Sequence, residues 1–269
     1  MMRIGTLLTL HTFASGSEGN CLLISGAQFH ILVDAGISYK RIVTSLAALG
    51  LVMDDIDAIL ITHEHSDHIC GLATLVKHHA IPIYTSFATA RQLAYRIAGI
   101  EPLLRGLTSD AVFYVSDARI TVFPTSHDAN DSIDFRIDGD GGSIGILTDT
   151  GYVTDEAGST LLGVDLLVLE SNHDVEWLKS GPYPYSLKQR ILGDCGHLSN
   201  DAAAQFAYLM GCAGTRQIVL AHLSRENNTP ERALQAVCSA VDALGVTVTV
   251  APRSTISSCY KSEVTACRE

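Results

Sequence analysis

The densest group of metal-binding side chains in the sequence is the segment His63-Glu64-His65-Ser66-Asp67-His68. In an extended chain alternate side chains point the same way, so His63 and His65 can converge on one cation. A helix that begins at Asp67 would aim Asp67 and His68 elsewhere, which suits a second cation beside the first. The segment therefore predicts one loop that serves two metal ions.

Two ions need more ligands than this loop supplies, and the sequence offers three further polar residues. His127, Asp149 and His222 each come shortly after an apolar run of the kind that forms a buried strand. Loops at strand ends, gathered at one edge of a layered fold, are where sites are usually built on a rigid scaffold. Each residue taken singly would be read as structural.

The scaffold that must position these residues is predicted to be α/β, because strands alternate with helices and no repeat or low-complexity tract interrupts them. Layered sheets covered by helices follow from this pattern. Strands are predicted at 6–13, 20–25, 28–33, 58–61, 82–85, 111–115, 119–123, 132–137, 143–148, 165–170, 217–221 and 246–250, and helices at 38–49, 87–98, 174–179, 186–192, 200–210 and 230–244.

The strand at 58–61 leads straight into the histidine segment, where a further helix is predicted to begin. Ser66 can cap a helix that starts at Asp67, since a serine oxygen accepts from backbone N–H groups of the first turn. The apolar face of that helix would carry Ile69, Leu72, Leu75 and Val76. The result is a strand-loop-helix corner that presents the metal ligands.

Composition and charge limit the classes of function. The 269 residues are 47% hydrophobic and 17% charged, which predicts a large buried core and a single domain over residues 1–269. The formal net charge of −11 opposes the broad basic surface of a protein that grips nucleic acid through many phosphates. Bound divalent cations would offset part of this charge, so a phosphate-bearing substrate stays compatible.

The cysteines and the apolar segments predict a cytoplasmic protein without a membrane anchor. The seven cysteines form no CxxC pair and their number is odd, so they are interpreted as reduced thiols. The apolar stretch after Arg3 is interrupted by Thr6, Thr9 and His11 before a signal-peptide core could form. No uninterrupted apolar run is long enough to span a bilayer.

With these residues in hand, the chain resembles the metallo-β-lactamase superfamily, whose motifs run in the order Asp, HxHxDH, His, Asp, His. The matching positions here are Asp34, residues 63–68, His127, Asp149 and His222. The resemblance implies a four-layer αββα sandwich and two divalent ions. It implies that His63, His65 and His127 hold one ion, that Asp67, His68 and His222 hold the other, that Asp149 bridges them and that Asp34 orients the loop.

The chain is more similar still to the YycJ-like (WalJ) branch of nucleases, through residues 14–20, 33–36, 169–174, 196–200 and 221–224. It also resembles ribonuclease Z in pairing a glutamate with a later Gly-His-Leu-Ser turn, here Glu170 and His197. This pair is interpreted as a proton relay for the leaving group, so the catalytic set implied is Asp67, Glu170 and His197. The spacing of 22 positions between His127 and Asp149 leaves no room for the substrate-gripping arm that ribonuclease Z often carries there.

The expected function is therefore a metal-dependent phosphodiesterase of the nuclease type, exonuclease-like and directed at DNA or RNA, with DNA favoured. Two ions roughly 3.5–4 Å apart can share a water and lower its pKa toward neutrality. Zinc suits the imidazole-rich ligands, and manganese or iron are also compatible. The alternative is a small-molecule hydrolase that acts on a cyclic phosphodiester, a lactone or a thioester. A non-catalytic binding module is disfavoured by the complete ligand set.

Substrate contacts are expected near the turn at residues 181–185. Lys188 and Arg190 lie close to its tyrosines, and cations beside aromatic faces could hold stacked bases. The alternative for these residues is a solvated helix face and a proline-stiffened turn. Further expected contacts are His173, Ser199 and Asn200, with a purely structural role open for His173.

Overall fold

A computed structural model describes residues 7–262. Its strands form two seven-stranded sheets that pack face to face, and helices cover the outer face of each sheet. The predicted four-layer αββα sandwich is therefore confirmed. The assignment of all 269 residues to one domain stays a prediction, because residues 1–6 and 263–269 lie outside the described range.

The strands of the described residues follow the predicted apolar runs closely. Each predicted strand is present, with ends that shift by up to three residues. Residue 6, the first of the strand predicted at 6–13, lies outside the described range. The strands are β1 (Thr9–Ala14), β2 (Cys21–Ser25), β3 (His30–Val33), β4 (Ala58–Leu60), β5 (Ile83–Ser86), β6 (Leu104–Leu107), β7 (Val112–Val115), β8 (Ala118–Pro124), β9 (Ile133–Gly139), β10 (Gly142–Leu147), β11 (Leu166–Glu170), β12 (Gln217–Ala221), β13 (Thr247–Val250) and β14 (Tyr260–Lys261).

Each sheet combines an antiparallel half with a parallel half. The first sheet has the order β14-β1-β2-β3-β4-β5-β6, antiparallel from β14 to β3 and parallel from β3 to β6. The second has the order β13-β12-β11-β10-β9-β8-β7, parallel from β13 to β10 and antiparallel from there to β7. Each sheet therefore has an edge at which the carboxyl ends of four parallel strands meet.

The longer helices α1, α4, α8 and α9 bury side chains against the outer faces of the sheets. None of the helices within residues 7–262 has the length and hydrophobicity needed to cross a bilayer. The helices are α1 (Tyr39–Ala48), α2 (Ser66–Ile69), α3 (Leu72–Leu75), α4 (Phe87–Arg96), α5 (Asp155–Leu161), α6 (Val175–Ser180), α7 (Tyr185–Leu192), α8 (Asn200–Cys212) and α9 (Pro230–Val241), with 3-10 turns at Met53–Asp55, Glu101–Leu103 and Asp242–Leu244.

The core between the sheets draws on both of them. Leu10, Ile31 and Leu60 from the first sheet and Phe135 and Ile146 from the second are at most 1% exposed. Burying one such side chain stabilises the fold by about 1.5–3 kcal/mol relative to leaving it in water. This shared core fixes the two sheets relative to one another, and with them the loops at their edges.

The helix predicted to start at Asp67 is wrong in two details. His65, not Ser66, is the N-cap residue, and Ser66 is the first residue of α2. The helix also ends after one turn, because Gly71 N donates to Ala35 O (2.8 Å) while Asp67 O accepts from Asn20 N (2.8 Å). The backbone groups that would continue the helix are therefore used to attach α2 to neighbouring loops.

Candidate metal centre

The candidate site lies where parallel strands of both sheets end. Asp34 directly follows β3, Asp149 lies two residues beyond β10, Glu170 is the last residue of β11 and His222 directly follows β12. Because the carboxyl ends of parallel strands share one edge of their sheet, the fold delivers these side chains to one region. The segment at 63–68 arrives there from β4.

Three of these residues turn the backbone sharply at the strand end. Asp34, Asp149 and His222 have φ angles of 60°, 51° and 54°, in the left-handed region that residues other than glycine rarely adopt. Such a conformation costs about 1–3 kcal/mol and persists only where the surrounding contacts require it. This uncommon conformation recurs at three strand ends that converge on the site. It indicates that the direction of these side chains is maintained although the backbone conformation costs free energy.

The seven predicted metal ligands lie together in the structure. They form overlapping groups in which one ligand atom from each side chain lies within 4.8 Å of the others. One group is His63, His65 and His127, another is Asp67, His68 and His222, and Asp149 joins His63 and His68 in a third.

Asp149 lies between the first two groups. Its Oδ2 is 3.2 Å from His68 Nε2, and its Oδ1 is 3.6 Å from His222 Nε2 and 3.7 Å from His127 Nε2. Oδ1 therefore lies near a nitrogen of each group, and the bridging role of Asp149 stays a prediction.

The charges of the cluster favour bound cations. Burial opposes ionisation of Asp149, yet His222 and His68 hold the pKa of its carboxyl well below the usual range. Burial likewise opposes protonation of His222, but Asp149, Asp67 and Glu170 together raise its pKa to about 10. The carboxylates thus draw positive charge onto the imidazole nitrogens that face them, and a divalent ion would take the place of those protons.

The buried polar atoms of the cluster provide a test of whether ions fit. Among the described residues, His63 Nε2, His222 Nε2 and Asp149 Oδ2 have no hydrogen-bond partner although all three atoms are buried. A buried polar atom without a partner costs about 1–3 kcal/mol. Imidazole nitrogens and carboxylate oxygens are common ligands of divalent metals. The donor set therefore fits the ions that the sequence implies.

The ring nitrogens on the far side of the histidines are fixed by other residues. Asp34 accepts from His68 Nδ1 (2.7 Å) and from Thr62 N (2.9 Å), and Thr62 Oγ1 accepts from His63 Nδ1 (2.9 Å). A proton held at Nδ1 leaves the Nε2 lone pair facing the centre, the usual arrangement around metal-ligating histidines. Asp34 therefore has the orienting position that the resemblance predicted for it.

Glu64 joins the two loops that carry the His63, His65 and His127 group. Its buried carboxylate accepts from Asn130 N (3.1 Å), Asn130 Nδ2 (2.6 Å) and Thr89 Oγ1 (3.3 Å). These donors outweigh the burial that opposes ionisation, and they lower the pKa of Glu64. Residue 64 is therefore a brace between the segment at 63–68 and the loop after β8.

Glu170 links a predicted metal ligand to the predicted proton relay. Its Oε1 lies 2.9 Å from Nδ1 of both His197 and His222, and its Oε2 accepts from Thr150 N (3.0 Å) and Leu198 N (3.1 Å). Burial would raise the pKa of Glu170, but His197 and His222 lower it to about 2. Glu170 is thus ionised, and His197, with its pKa raised by that carboxylate, can hold a proton at the cluster.

A cleft of about 160 Å³ opens beside His127 and His197. Arg190 lines it and donates from Nε to Asp128, whose Oδ1 lies 3.5 Å from His127 Nε2. The cleft is lined by Ser17, His127, Asp128, Asn172, Tyr183, Leu187, Arg190, Ile191, Cys195, Gly196, His197 and Ser224.

Arg190 is the one residue among the five predicted substrate contacts that lines this cleft. Lys188 instead donates from Nζ to Lys179 O and Gly181 O, both at 2.7 Å, and so closes the turn between α6 and α7. Ser199 is the N-cap of α8, Asn200 accepts from Ser171 Oγ (2.6 Å), and His173 is 1% exposed. The structure gives these four residues structural positions.

The sequence interpretation missed Glu64, Thr62 and Asp128, although all three lie next to predicted ligands in the chain. Their adjacency to His63 and His127 was the available signal. This adjacency was not enough to predict a role, because each residue makes its contact with a segment distant in sequence. Glu64, for example, accepts from Asn130 N.

Two packed sheets, helices on both outer faces, and histidines and carboxylates gathered at the carboxyl ends of the parallel strands define a hydrolase of the metallo-β-lactamase fold. A family model described as "Beta-lactamase superfamily domain" matches residues 30–223. The chain belongs to this family, whose fold implies divalent metal ions.

Relatives and a solved structure agree with this assignment. The chain is 36% identical over 239 residues to Exodeoxyribonuclease YycJ of Bacillus anthracis, covering 88% of this chain and 90% of the relative. It is 39% identical over 225 residues to Exodeoxyribonuclease WalJ of Streptococcus pneumoniae serotype 2, covering 82% and 83%. The structure of the metallo-beta-lactamase fold protein YhfI from Bacillus subtilis superposes with a TM-score of 0.70 at 19% identity, over 94% of this chain and 99% of that one.

Proposed function

We propose that this protein is a metal-dependent phosphodiesterase of the exodeoxyribonuclease type that acts on DNA. The observation that supports the proposal most is the contact of Glu170 with both His197 and His222, because His197, the proposed proton donor, then lies beside the proposed metal ligands. The two exodeoxyribonuclease relatives, at 36% and 39% identity over most of the chain, support DNA as the substrate.

In this proposal the seven clustered side chains would hold two ions. His63, His65 and His127 would take one, Asp67, His68 and His222 would take the other, and Asp149 would contribute to both. Zinc is the expected metal because most of the ligands are imidazoles, and manganese or iron would be accepted by the same set. When bound, such a pair lowers the pKa of a coordinated water and stabilises charge on phosphoryl oxygens.

The protein's own contribution to bond cleavage is the proton for the leaving oxygen. An alkoxide leaves poorly, and a general acid within hydrogen-bond reach accelerates its departure by about 10²–10⁴-fold. His197 would donate this proton from Nε2, since its Nδ1 faces Glu170. The Glu170 carboxylate favours the protonated form of His197 before the transfer and fixes the orientation of the ring.

The cellular setting that we propose is the cytoplasm, where both DNA and a reducing environment are present. The six cysteines within residues 7–262 are free, as the sequence predicts, and Cys267 lies outside that range. Free thiols are typical of that compartment.

Metal-supplemented turnover of labelled single-stranded DNA, duplex DNA, RNA and bis-p-nitrophenyl phosphate tests the proposal. We expect a DNA strand to be degraded from an end, and Asp67→Ala to abolish turnover of every substrate. Rapid cleavage of the small ester alone would favour the small-molecule hydrolase. No cleavage by protein that has been shown to bind metal would contradict the proposal.

His197→Ala separates proton donation from the rest of the site. We expect it to lower kcat on DNA by about 10²–10⁴-fold, because the departing alkoxide then lacks its proton donor. Turnover of bis-p-nitrophenyl phosphate should fall far less, since p-nitrophenolate leaves without assistance. Equal losses on both substrates would show that His197 is not the general acid.

A further inference from the structure

The helix α7 has an apolar side that the folded protein does not bury. None of its residues from Tyr185 to Leu192 is fully buried, whereas α8 buries four side chains in the outer core. Leu187 and Ile191, one helical turn apart, both line the cleft beside His197. The apolar side of α7 therefore faces the candidate site instead of the core.

Tyr183, in the turn before α7, extends the wall of the cleft that Leu187 and Ile191 form. It lines the cleft and is partly buried, whereas Tyr185, two residues on, is 78% exposed and lies outside the cleft. The turn is held by Lys188, whose ammonium donates to the carbonyls of Lys179 and Gly181. The flanking residues Pro182 and Pro184 restrict its backbone further. The backbone that carries the aromatic ring is thus restrained before any ligand arrives.

The rest of the lining is polar but carries little net charge. Asn172 and Ser224 line the cleft; Asn172 Nδ2 donates to His222 O (2.9 Å) and Ser224 Oγ accepts from Asn227 N (3.2 Å), which leaves the amide oxygen and the hydroxyl proton for a ligand. Apart from His197, which faces the Glu170 carboxylate, Arg190 is the one cation in the lining, and its guanidinium is already paired with Asp128. A cleft with an aromatic ring, two aliphatic side chains, hydrogen-bonding groups and a neutralised cation suits a nucleobase better than a second phosphate.

We infer that this cleft binds the base of the nucleotide whose oxygen leaves, stacked on Tyr183 and packed against Leu187 and Ile191. The inference rests on the proposed function and names the part of the substrate that its site recognises. The leaving side is assigned because His197, which would protonate the leaving oxygen, lines the same cleft. The wall of α7 and its turn is therefore the binding surface for a base.

Dinucleoside phosphates that lack one base provide the first test. One substrate lacks the base of the nucleotide that carries the leaving oxygen, and the other lacks the base on the opposite side of the scissile bond. The masses of the products identify which nucleotide carries the leaving oxygen. We expect the leaving-side loss to lower kcat/KM by at least about fivefold, the lower end of base–aromatic stacking, and the other loss to change it less than about twofold. Tyr183→Ala should remove this difference and Tyr183→Phe should keep it. Tyr185→Ala, in the same turn but outside the cleft, is the matched control.

Binding of 2-aminopurine deoxynucleoside monophosphate, followed by fluorescence quenching, tests the inference without turnover. We expect wild type, Tyr185→Ala and Tyr183→Phe to quench the probe, and Tyr183→Ala to bind at least about fivefold more weakly. Equal binding by wild type and Tyr183→Ala would overturn the inference, as would a base preference confined to the other side of the scissile bond. If no DNA strand is cut either, the proposed function fails, while the binding comparison still decides whether the cleft holds a base.

Discussion

Glu64 shows how one carboxylate can maintain a ligand group without belonging to it. It is the unspecified residue between the first two histidines of the cluster, and it binds the loop that follows His127 through Asn130. Because His63, His65 and His127 lie on the two loops that it joins, their mutual distances depend on it.

Glu64→Ala is predicted to weaken metal binding at the His63, His65 and His127 group by about 10–100-fold, the usual loss when a residue that positions ligands is removed. Metal titration against a competing chelator measures the affinity of each of the two metal equivalents. We expect one equivalent to bind more weakly and the other to keep nearly its original affinity. Glu64→Gln, which keeps two acceptor lone pairs, should retain most of the affinity. Equal weakening of both equivalents would mean that the carboxylate supports the whole fold and not one group.

His173 is predicted to make stability depend on pH between about 6.5 and 4. Burial lowers its pKa from 6.5 to about 4, so in this window the unfolded chain binds a proton that the folded chain does not. Stability is then full above pH 6.5 and falls with decreasing pH by up to about 3 kcal/mol, with no further change below pH 4.

Urea denaturation of wild type and His173→Gln across this range measures the effect of His173. The difference between the two stability curves should narrow as the pH falls, because the variant lacks this titration. Parallel curves would show that His173 does not contribute.

At the residue level, the sequence predicts those parts of the site that a short segment defines. His63, His65, Asp67 and His68 were predicted from spacing alone, and they do converge. The brace formed by Glu64 depends on loops that only the fold brings together. The ion that each ligand holds, and the roles of Glu170 and His197, stay predictions.

Among the elements, the loop after β3 and the helix α2 approach one another unusually closely. A Cβ atom on Gly36 would lie 1.6 Å from Asp67 O, and Ala35 N donates to His68 O (2.8 Å). A glycine is therefore required where the loop passes the backbone of two predicted ligands.

Gly36→Ala is predicted to displace α2, destabilising the protein by about 1–3 kcal/mol and weakening metal binding at Asp67 and His68. Gly158→Ala in α5 is the matched control, since its new methyl group would meet only Val153 Cγ1 at 3.9 Å. Relief of a mid-helix glycine should stabilise the protein by about 0.5–1 kcal/mol. Urea denaturation and chelator competition measure both variants, and unchanged metal affinity in Gly36→Ala would contradict the role given to this contact.

Strands inside the sheets were predictable, whereas the two short strands at the edges of the first sheet were not. β11 and β12 are continuous apolar runs because both faces are covered, and their predicted bounds are correct to within one residue. β6 and β14 lie at the edges of the first sheet, span four and two residues, and lack a marked apolar pattern. Pairing with a neighbour, not local sequence, creates such strands.

For the molecule as a whole, bound metal should raise the free energy of unfolding. Ligands that bind only the folded chain stabilise it by about 2.7 kcal/mol when present at a hundred times their Kd. We predict that chelation lowers Tm and that added zinc or manganese restores it in a concentration-dependent way, measured by calorimetry. Asp149→Asn, which weakens the bridging position, should shift less. A Tm that is indifferent to chelator and metal would contradict the assignment of the centre.

The two sheets contribute unequal but interlocking shares of this centre. Asp34 and residues 63–68 come from the first sheet, and His127, Asp149 and His222 come from the second. An ion coordinated by residues of both sheets would link them, and it would have to be released before the two sheets could separate. Bound metal should therefore raise the barrier to separation of the two sheets as well as the equilibrium stability. We expect proteases to cut the metal-depleted protein long before the metal-bound form.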